Sequence, residues 1–265
     1  LYRGPLFLRG FDDDVRHQLA EAMRNRGIDL RFDTNIDRID KSDAPGNSFT
    51  ATLTDGSTVE AGQIMYATGR APNTRGLGLE DIGVELTRNG AVVVDEYSRT
   101  NLDHVFAVGD VIGPPALASA SYDQGRFAGH VVAANECEWE LLGEVPTGIY
   151  TSPEISSVGR TERELTEQNV PYEVGRADFK NLARAQIAGR NVGMLKLLFH
   201  RETLELLGIH CFGSQASEIV HIGQAIMRQP GSANTLDYFI HTTFNYPTMA
   251  EAYRVAALYG RNRTR

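Results

Sequence analysis

Three short stretches carry side chains whose type and spacing suit chemistry. In "HVFAVGD", His104 to Asp110, an apolar run reads as a strand ending on an acid, with a loop and a helix after it. Ligands of open α/β sheets sit outside the carboxyl ends of strands. Asp110 in that place could accept hydrogen bonds from a ligand hydroxyl, as a ribitol or ribose would offer. The helix beginning near Ala116 would aim free backbone N–H groups at the same ligand. A plain strand-to-helix turn, with Asp110 as a cap, explains these residues equally well. In "FNYPTMAEAYRVAAL", Phe244 to Leu258, Pro247 would stop a strand, and Thr248 with Glu251 would form a T-x-x-E capping box. The competing reading is a catalytic segment built on Tyr246 and Glu251. In "QIMYATG" a buried strand would end at Gly69, where a backbone could approach a ligand closely.

The elements that must position these residues follow from periodicity. "FDDDVRHQLAEAMRNR", Phe11 to Arg26, is expected to be an amphipathic helix, with Val15, Leu19 and Met23 on one face. Asp12, Asp13 and Asp14 fall in its first turn, where the helix dipole favours acids, and Gly27 suits its end. "IDLRF", Ile28 to Phe32, reads as the next strand of a βαβ-type unit. Ser48 to Gly69 reads as a strand, an Asp-Gly hairpin, a short strand and then the buried strand already named. "AVVVDEYSRT" is expected to be another strand, and Ala116 to Cys137 a long Ala-rich helix. A domain boundary is expected near Gly143. Beyond it, "VGMLKLLFH" and "ELLGIHCFG" read as antiparallel strands joined by a short turn, and "ASEIVHIGQAIM" as a helix.

Composition narrows the function classes. The chain has 265 residues, enough for about two domains, and is ordinary in its 42% apolar and 23% charged content. A net charge of −8 argues against a general nucleic-acid grip. No apolar run approaches the roughly 20 residues needed to cross a bilayer. Cys137 and Cys211 have no metal or redox spacing, and two cysteines suggest a reducing, cytoplasmic setting. His200, His210 and His221 share no metal spacing and are read as structural, so no metal is expected. The opening "LYRGPLFLRGFDDD" has no Met and begins at what reads as a strand end, as expected of a fragment.

"TNLDHVFAVGD" resembles the second flavin motif of the FAD-dependent pyridine nucleotide–disulfide oxidoreductases, a Thr-led strand ending A-x-G-D. "ATGRAPNT", Ala67 to Thr74, is similar to that family's crossover from nucleotide domain back to flavin domain. The two in this order, about 40 residues apart, are more specific than either alone. The resemblance extends over essentially the whole chain. It implies partial Rossmann-like NAD(P)H and FAD domains, residues 1–70 and 71–143, followed by an α+β dimerisation domain, residues 144–265. The first part is most similar to bacterial glutathione reductases. From "GDVIGPPALASASYDQGR" onward, and closely in "LARAQIAG", "LGIHCFG", "IVHIGQAIM" and "TTFNYPTMAEAYRVAAL", it resembles the soluble pyridine nucleotide transhydrogenase branch.

The resemblance assigns roles. Asp110 would bind the FAD ribitol, with Gly109 and the backbone near Ala118 against the flavin, and Gly69 near the nicotinamide dinucleotide. Arg3 and Arg9 match the arginine pair that grips the 2′-phosphate of NADP in glutathione-reductase-like members; a guanidinium fork suits a phosphate. Two solvated loop arginines is the plainer alternative. Arg126 stands where glutathione reductases hold a substrate arginine, and is read as a solvated helix residue. Disulfide-reducing members carry a His as acid/base where Tyr246 stands, and an orienting acid where Glu251 stands. A phenol, with an unperturbed pKa of about 10, is a poor base near neutral pH. Hydride transfer between NADPH and NAD through FAD needs no such base. The expected activity is therefore transhydrogenation by a homodimer, with a disulfide reductase as the alternative. Because no G-x-G-x-x-G occurs, a catalytically inactive dimerisation fragment is the other.

Overall fold

A computed structural model describes residues 1–41, 48–134, 141 and 143–264. It divides into two units, Leu1–Ile64 with Pro146–Arg265, and Met65–Val145. The first unit opens with a loop and helix α1 (Asp13–Asn25). Asp12 is its N-cap, accepting from the Asp14 amide at 3.1 Å, and Val15 and Leu19 are buried. Gly27 follows at φ +85°, a conformation that β-carbon-bearing residues resist. Strands β1 (Ile36–Lys41), β2 (Phe49–Leu53) and β3 (Thr58–Ala61) form an antiparallel sheet in that order. The expected Asp-Gly hairpin joins β2 to β3, with Gly56 at φ +83°. The expected strand Ile28–Phe32 is not formed. Arg31, Asp33 and Thr34 instead make single backbone hydrogen bonds to Tyr2 and Gly4, too few for a ladder.

The second unit is largely irregular. Three expected strands, Gln63–Gly69, the run from Ala91 and His104–Asp110, are not formed; isolated bridges Leu86–Val92 and Arg99–Phe106 stand in place of the last two. A strand exists through its partner's backbone, and apolar content alone does not supply one. Met65 and Tyr66, expected to be buried, are 89% and 86% exposed. A 3₁₀ turn, Gly109–Ile112, leads to helix α2 (Ala118–Ala134), which buries Ala120, Gln124, Phe127, Ala128 and Val131. The expected end of that helix at Cys137 lies outside the described residues.

The rest of the first unit is built on a five-stranded antiparallel sheet. Its strands are β4 (Thr147–Ile149), β5 (Ile155–Gly159), β6 (Tyr172–Asp178), β7 (Gly193–His200) and β8 (Leu206–Gly213), in the order β4-β5-β8-β7-β6. Helix α3 (Glu162–Glu167) follows β5, and α4 (Ala183–Ile187) lies between β6 and β7. Helices α5 (Ala216–Met227), α6 (Asp237–His241) and α7 (Glu251–Arg263) complete the chain. Strand β7 is buried on both faces. Leu195, Leu197 and Phe199 join a core with Val220, Phe239 and Tyr253, while Met194 joins Val15, Leu19, Ile155 and Phe212 beneath α1. Helix α7 lies close on β6 because both surfaces are small: a Cβ on Gly175 would sit 2.3 Å from the Ala256 carbonyl oxygen. The Tyr253 hydroxyl donates to the Ile219 carbonyl at 2.7 Å and accepts from the Gly223 amide at 3.0 Å. Among the described residues no helix is long and apolar enough to cross a membrane.

Candidate functional site

In the second unit the turn at Gly109 packs on α2. Gly109 has φ +77°, its amide donates to Gln124 Oε1 at 2.7 Å, and a Cβ there would meet Ser121 Oγ at 2.9 Å. Only glycine fits this approach. The turn presents Asp110, whose Oδ2 accepts from Arg70 Nη2 at 2.8 Å. With the two side chains 48% and 79% exposed, this pair is worth at most about 1 kcal/mol and exchanges readily for a ligand hydroxyl. Ala118, exposed, begins α2, whose first amides have no acceptor within the helix. Gly69 adjoins Arg70, yet open space lies where its Cβ would be, so nothing in the structure requires glycine there. Asp110, the Gly69–Arg70 segment and the α2 N-terminus thus gather in one place. The donors and acceptor present fit a polyhydroxyl chain such as the ribitol of FAD. Arg70 escaped the sequence reading because nothing local marks an ion pair across 40 residues. Arg126 is exposed and pairs with Asp123 at 3.4 Å.

The segment around Tyr246 corrects two expectations. No strand precedes Pro247, and no capping box forms: α7 begins at Glu251 with Ala250 as its N-cap. The Thr248 hydroxyl donates backward to the Asn245 carbonyl at 2.8 Å, and Thr248 stands two residues before the N-cap position of α7. Tyr246 is 65% exposed, and no hydrogen bond among the described residues joins it to Glu251. Glu251 keeps one buried oxygen, Oε2, without a partner among those residues.

Near the start of the chain, Arg3 and Arg9 are both exposed, and neither makes an ion pair among the described residues. Arg9 folds back over buried Gly4; a Cβ there would lie 3.0 Å from Arg9 Nη2. The two guanidinium groups thus share one short loop and are free to take a phosphate.

A charge cluster that sequence reasoning missed lies beneath this loop. Lys196, on β7, is 1% exposed. Its ammonium donates to Asp12 Oδ1 at 2.7 Å, to Asp14 Oδ2 at 2.8 Å and to Glu162. The three carboxylates lie close enough to hold a metal ion, but the Lys196 ammonium already contacts all of them. Burial alone would raise the Asp12 carboxyl; the His210 ring and the Lys196 ammonium outweigh it and hold Asp12 below its ordinary value. Burial pushes His210 down, so near pH 7 it is chiefly neutral and Lys196 supplies the positive charge. Burial would lower Lys196, yet Asp12, Asp14 and Glu162 raise it well above its ordinary value. The signal available in the sequence was a lone Lys inside "GMLKLLFH". His210 bonds the Arg160 carbonyl at 3.0 Å, while His200 and His221 bond within their own turns. Cys211 is buried in the sheet, and burial pushes its thiol up.

Comparison with known proteins bears on this arrangement as a whole. Residues 1–125 match the family described as "Pyridine nucleotide-disulphide oxidoreductase", and residues 145–257 match that family's dimerisation domain. The chain belongs to the pyridine nucleotide-disulphide oxidoreductase family. It is 55% identical over 252 residues to the soluble pyridine nucleotide transhydrogenase of Serratia proteamaculans, covering 95% of this chain and 54% of that protein. It is 56% identical over 260 residues to that of Hahella chejuensis, covering 98% and 55%. The chain therefore spans about half the length of these curated relatives. Among solved structures, LpdA from Mycobacterium tuberculosis superposes with a TM-score of 0.81 at 28% identity, covering 93% of this chain and 52% of its own. The HOCl-induced flavoprotein disulfide reductase RclA from Escherichia coli does so with a TM-score of 0.87 at 24% identity, covering 97% and 57%; this likeness speaks to the fold alone.

Proposed function

We propose that the chain is part of a cytoplasmic, homodimeric flavoprotein that transfers hydride between NADPH and NAD through FAD. In this reading residues 1–70 belong to the NAD(P)H domain, 71–143 to the FAD domain and 144–265 to the dimer-forming domain. Arg3 and Arg9 take the 2′-phosphate of NADP, Asp110 the FAD ribitol, and Gly109 and Ala118 lie along the flavin, with Gly69 toward the nicotinamide nucleotide. When bound, FAD supplies the hydride-accepting centre, and the protein's part is to bind and orient. One observation carries the choice of reaction. Tyr246, an exposed phenol with no hydrogen bond to Glu251, stands where disulfide-reducing relatives are expected to need an imidazole base. Identity of 55% and 56% to named transhydrogenases supports the same choice.

The test is made in a full-length flavoprotein carrying these residues, by following hydride transfer from NADPH to a thionicotinamide analogue of NAD⁺. Tyr246→Phe should leave the rate within a few-fold, whereas losing an essential acid/base costs about 10²–10⁴-fold. Efficient reduction of glutathione disulfide or lipoamide by the unaltered protein would overturn the reading. The absence of any G-x-G-x-x-G favours a second reading for the chain by itself, a dimer-forming module without catalysis. A flavin spectrum retained by the purified chain through gel filtration would exclude it; a colourless dimer would support it.

A further inference from the structure

We propose that Arg16 is a positioning residue for nucleotide selection, holding the loop that carries Arg3 and Arg9 in a single shape and anchoring that loop to α3. The proposal rests on reading Arg3 and Arg9 as the 2′-phosphate grip.

Arg16 lies on the first turns of α1 and is only 4% exposed, unusual for an arginine. Its Nε donates to the Phe7 carbonyl at 2.7 Å and its Nη2 to the Leu6 carbonyl at 2.7 Å. Its Nη1 pairs with Asp13. All three arms of the fork are thus engaged, two of them on consecutive peptide groups midway between Arg3 and Arg9. No hydrogen bond within the loop fixes these two carbonyls, so one side chain sets their direction. The loop bends sharply where it is held: Leu8 has φ +55°, and its carbonyl accepts from the Phe11 amide at 3.0 Å. Leu6 is buried, and the Phe7 ring packs on Phe32 with centroids 5.8 Å apart.

The anchor continues outward. Asp13, which pairs with Arg16, also accepts from Arg163 Nη2 of α3 at 2.6 and 2.9 Å. Burial would raise the Asp13 carboxyl, but Arg163 and Arg16 outweigh it and keep it ionised. A continuous path therefore runs from the loop carbonyls through Arg16 and Asp13 to α3, within the dimerisation-domain match. An exposed pair of arginines binds a phosphate with high selectivity only when the backbone beneath does not have to be ordered at the moment of binding. Arg16 performs that ordering in advance. Lysine cannot replace it, because a single ammonium does not present the planar fork that reaches two carbonyls and a carboxylate together.

The experiment compares 2′,5′-ADP with 5′-AMP by titration calorimetry on the full-length flavoprotein carrying these residues, since the two probes differ by the 2′-phosphate alone. The unaltered protein should bind 2′,5′-ADP more tightly, and the Arg3→Ala/Arg9→Ala variant should lose this margin. Arg16→Lys keeps the charge and should lose about five-fold or more of the same margin, with 5′-AMP affinity held within two-fold. Should Arg16→Lys fail to fold, Asp13→Asn, at a half-exposed residue, takes its place with an expected loss of about two-fold to five-fold. A variant that keeps the full margin while Arg3→Ala/Arg9→Ala loses it would overturn the proposal alone. Equal weakening of both probes would also overturn it, marking Arg16 as merely structural. A margin that survives Arg3→Ala/Arg9→Ala would instead remove the phosphate reading, and the proposal with it.

Discussion

Replacing Lys196 by Met gives the sharpest test of how the first unit is held together. Methionine keeps the unbranched stem in its slot on β7 and removes only the ammonium. Asp12 then remains 1% exposed, its Oδ1 facing Asp14 and Glu162 with no cation between them. Breaking a buried ion pair from one side costs about 3–5 kcal/mol, because the remaining charge is left uncompensated. Asp14 and Glu162, at 42% and 36% exposed, can turn toward water, which argues for the lower half of that range. With a urea slope of about 2 kcal/mol per molar, a loss of about 3.5 kcal/mol moves the unfolding midpoint down by about 1.75 M. Urea is the denaturant of choice, since guanidinium chloride would screen the charges being tested. The transition should be followed by hydrogen exchange of the α1 and β7 amides, which report this unit alone. At pH 4.5 the penalty should shrink, because carboxylates robbed of Lys196 take up protons and His210 can charge beside Asp12. A loss below about 1 kcal/mol at pH 7, or the same loss at both pH values, would refute the reasoning.

Two further outcomes are expected. Stability of the first unit should fall on the acid side in two steps: His210, held low by burial, gives its contribution above about pH 6.5 and loses it as pH falls through its folded value, and Asp12, Asp13, Glu154 and Glu173, all held below their ordinary values, lose theirs below about pH 4; thermal unfolding across pH checks this, and His210→Gln should flatten the upper step. Gly175→Ala should cost about 3 kcal/mol or more, since its Cβ would lie 2.3 Å from the Ala256 carbonyl oxygen and must push α7 off β6; urea unfolding measures the cost, and a change under about 1 kcal/mol would contradict the packing described.

What the sequence revealed, it revealed through short-range repetition. Helix α1 shows itself by Val15 and Leu19 and by acids at its start, the β2–β3 hairpin by Asp55-Gly56, and β7 and β8 by long apolar runs on either side of a short turn. The strands that failed, Ile28–Phe32, Gln63–Gly69, the run from Ala91 and His104–Asp110, are also rich in apolar residues. Apolar content specifies what a strand can be packed on, whereas hydrogen-bonded partners decide whether it is one. The Thr248–Glu251 box failed for a local reason: α7 begins at Glu251 itself with Ala250 at its N-cap, which leaves Thr248 two residues short of the cap position. Of the candidate site, Asp110 and the Gly109 turn were legible because a motif holds them within a few residues. Arg70 and Lys196 were not, since their partners lie 40 and 184 residues away along the chain.

The charges around α1 explain how Asp12, Lys196 and Arg16 can be buried there. Asp12, Asp13, Asp14 and Glu162 bring four carboxylates, and Lys196, Arg16 and Arg163 bring three cations, so the junction carries one negative charge in excess. That excess sits where α1 and α3 both begin, with Asp12 accepting from the Asp14 amide of one and the Glu162 amide, at 3.3 Å, of the other. Two helix N-termini, each with unsatisfied N–H groups, are the places in a fold where surplus negative charge is best tolerated. The same arrangement has a directional consequence. Because Asp12 is at once the cap of α1, the acceptor for α3 and the partner of Lys196, α1 cannot rotate on the sheet without breaking all three contacts together. The loop of Arg3 and Arg9 is tied to α1 through Arg16, and so is linked to β7 and α3 in addition to the contacts of its own Leu6, Phe7 and Leu8.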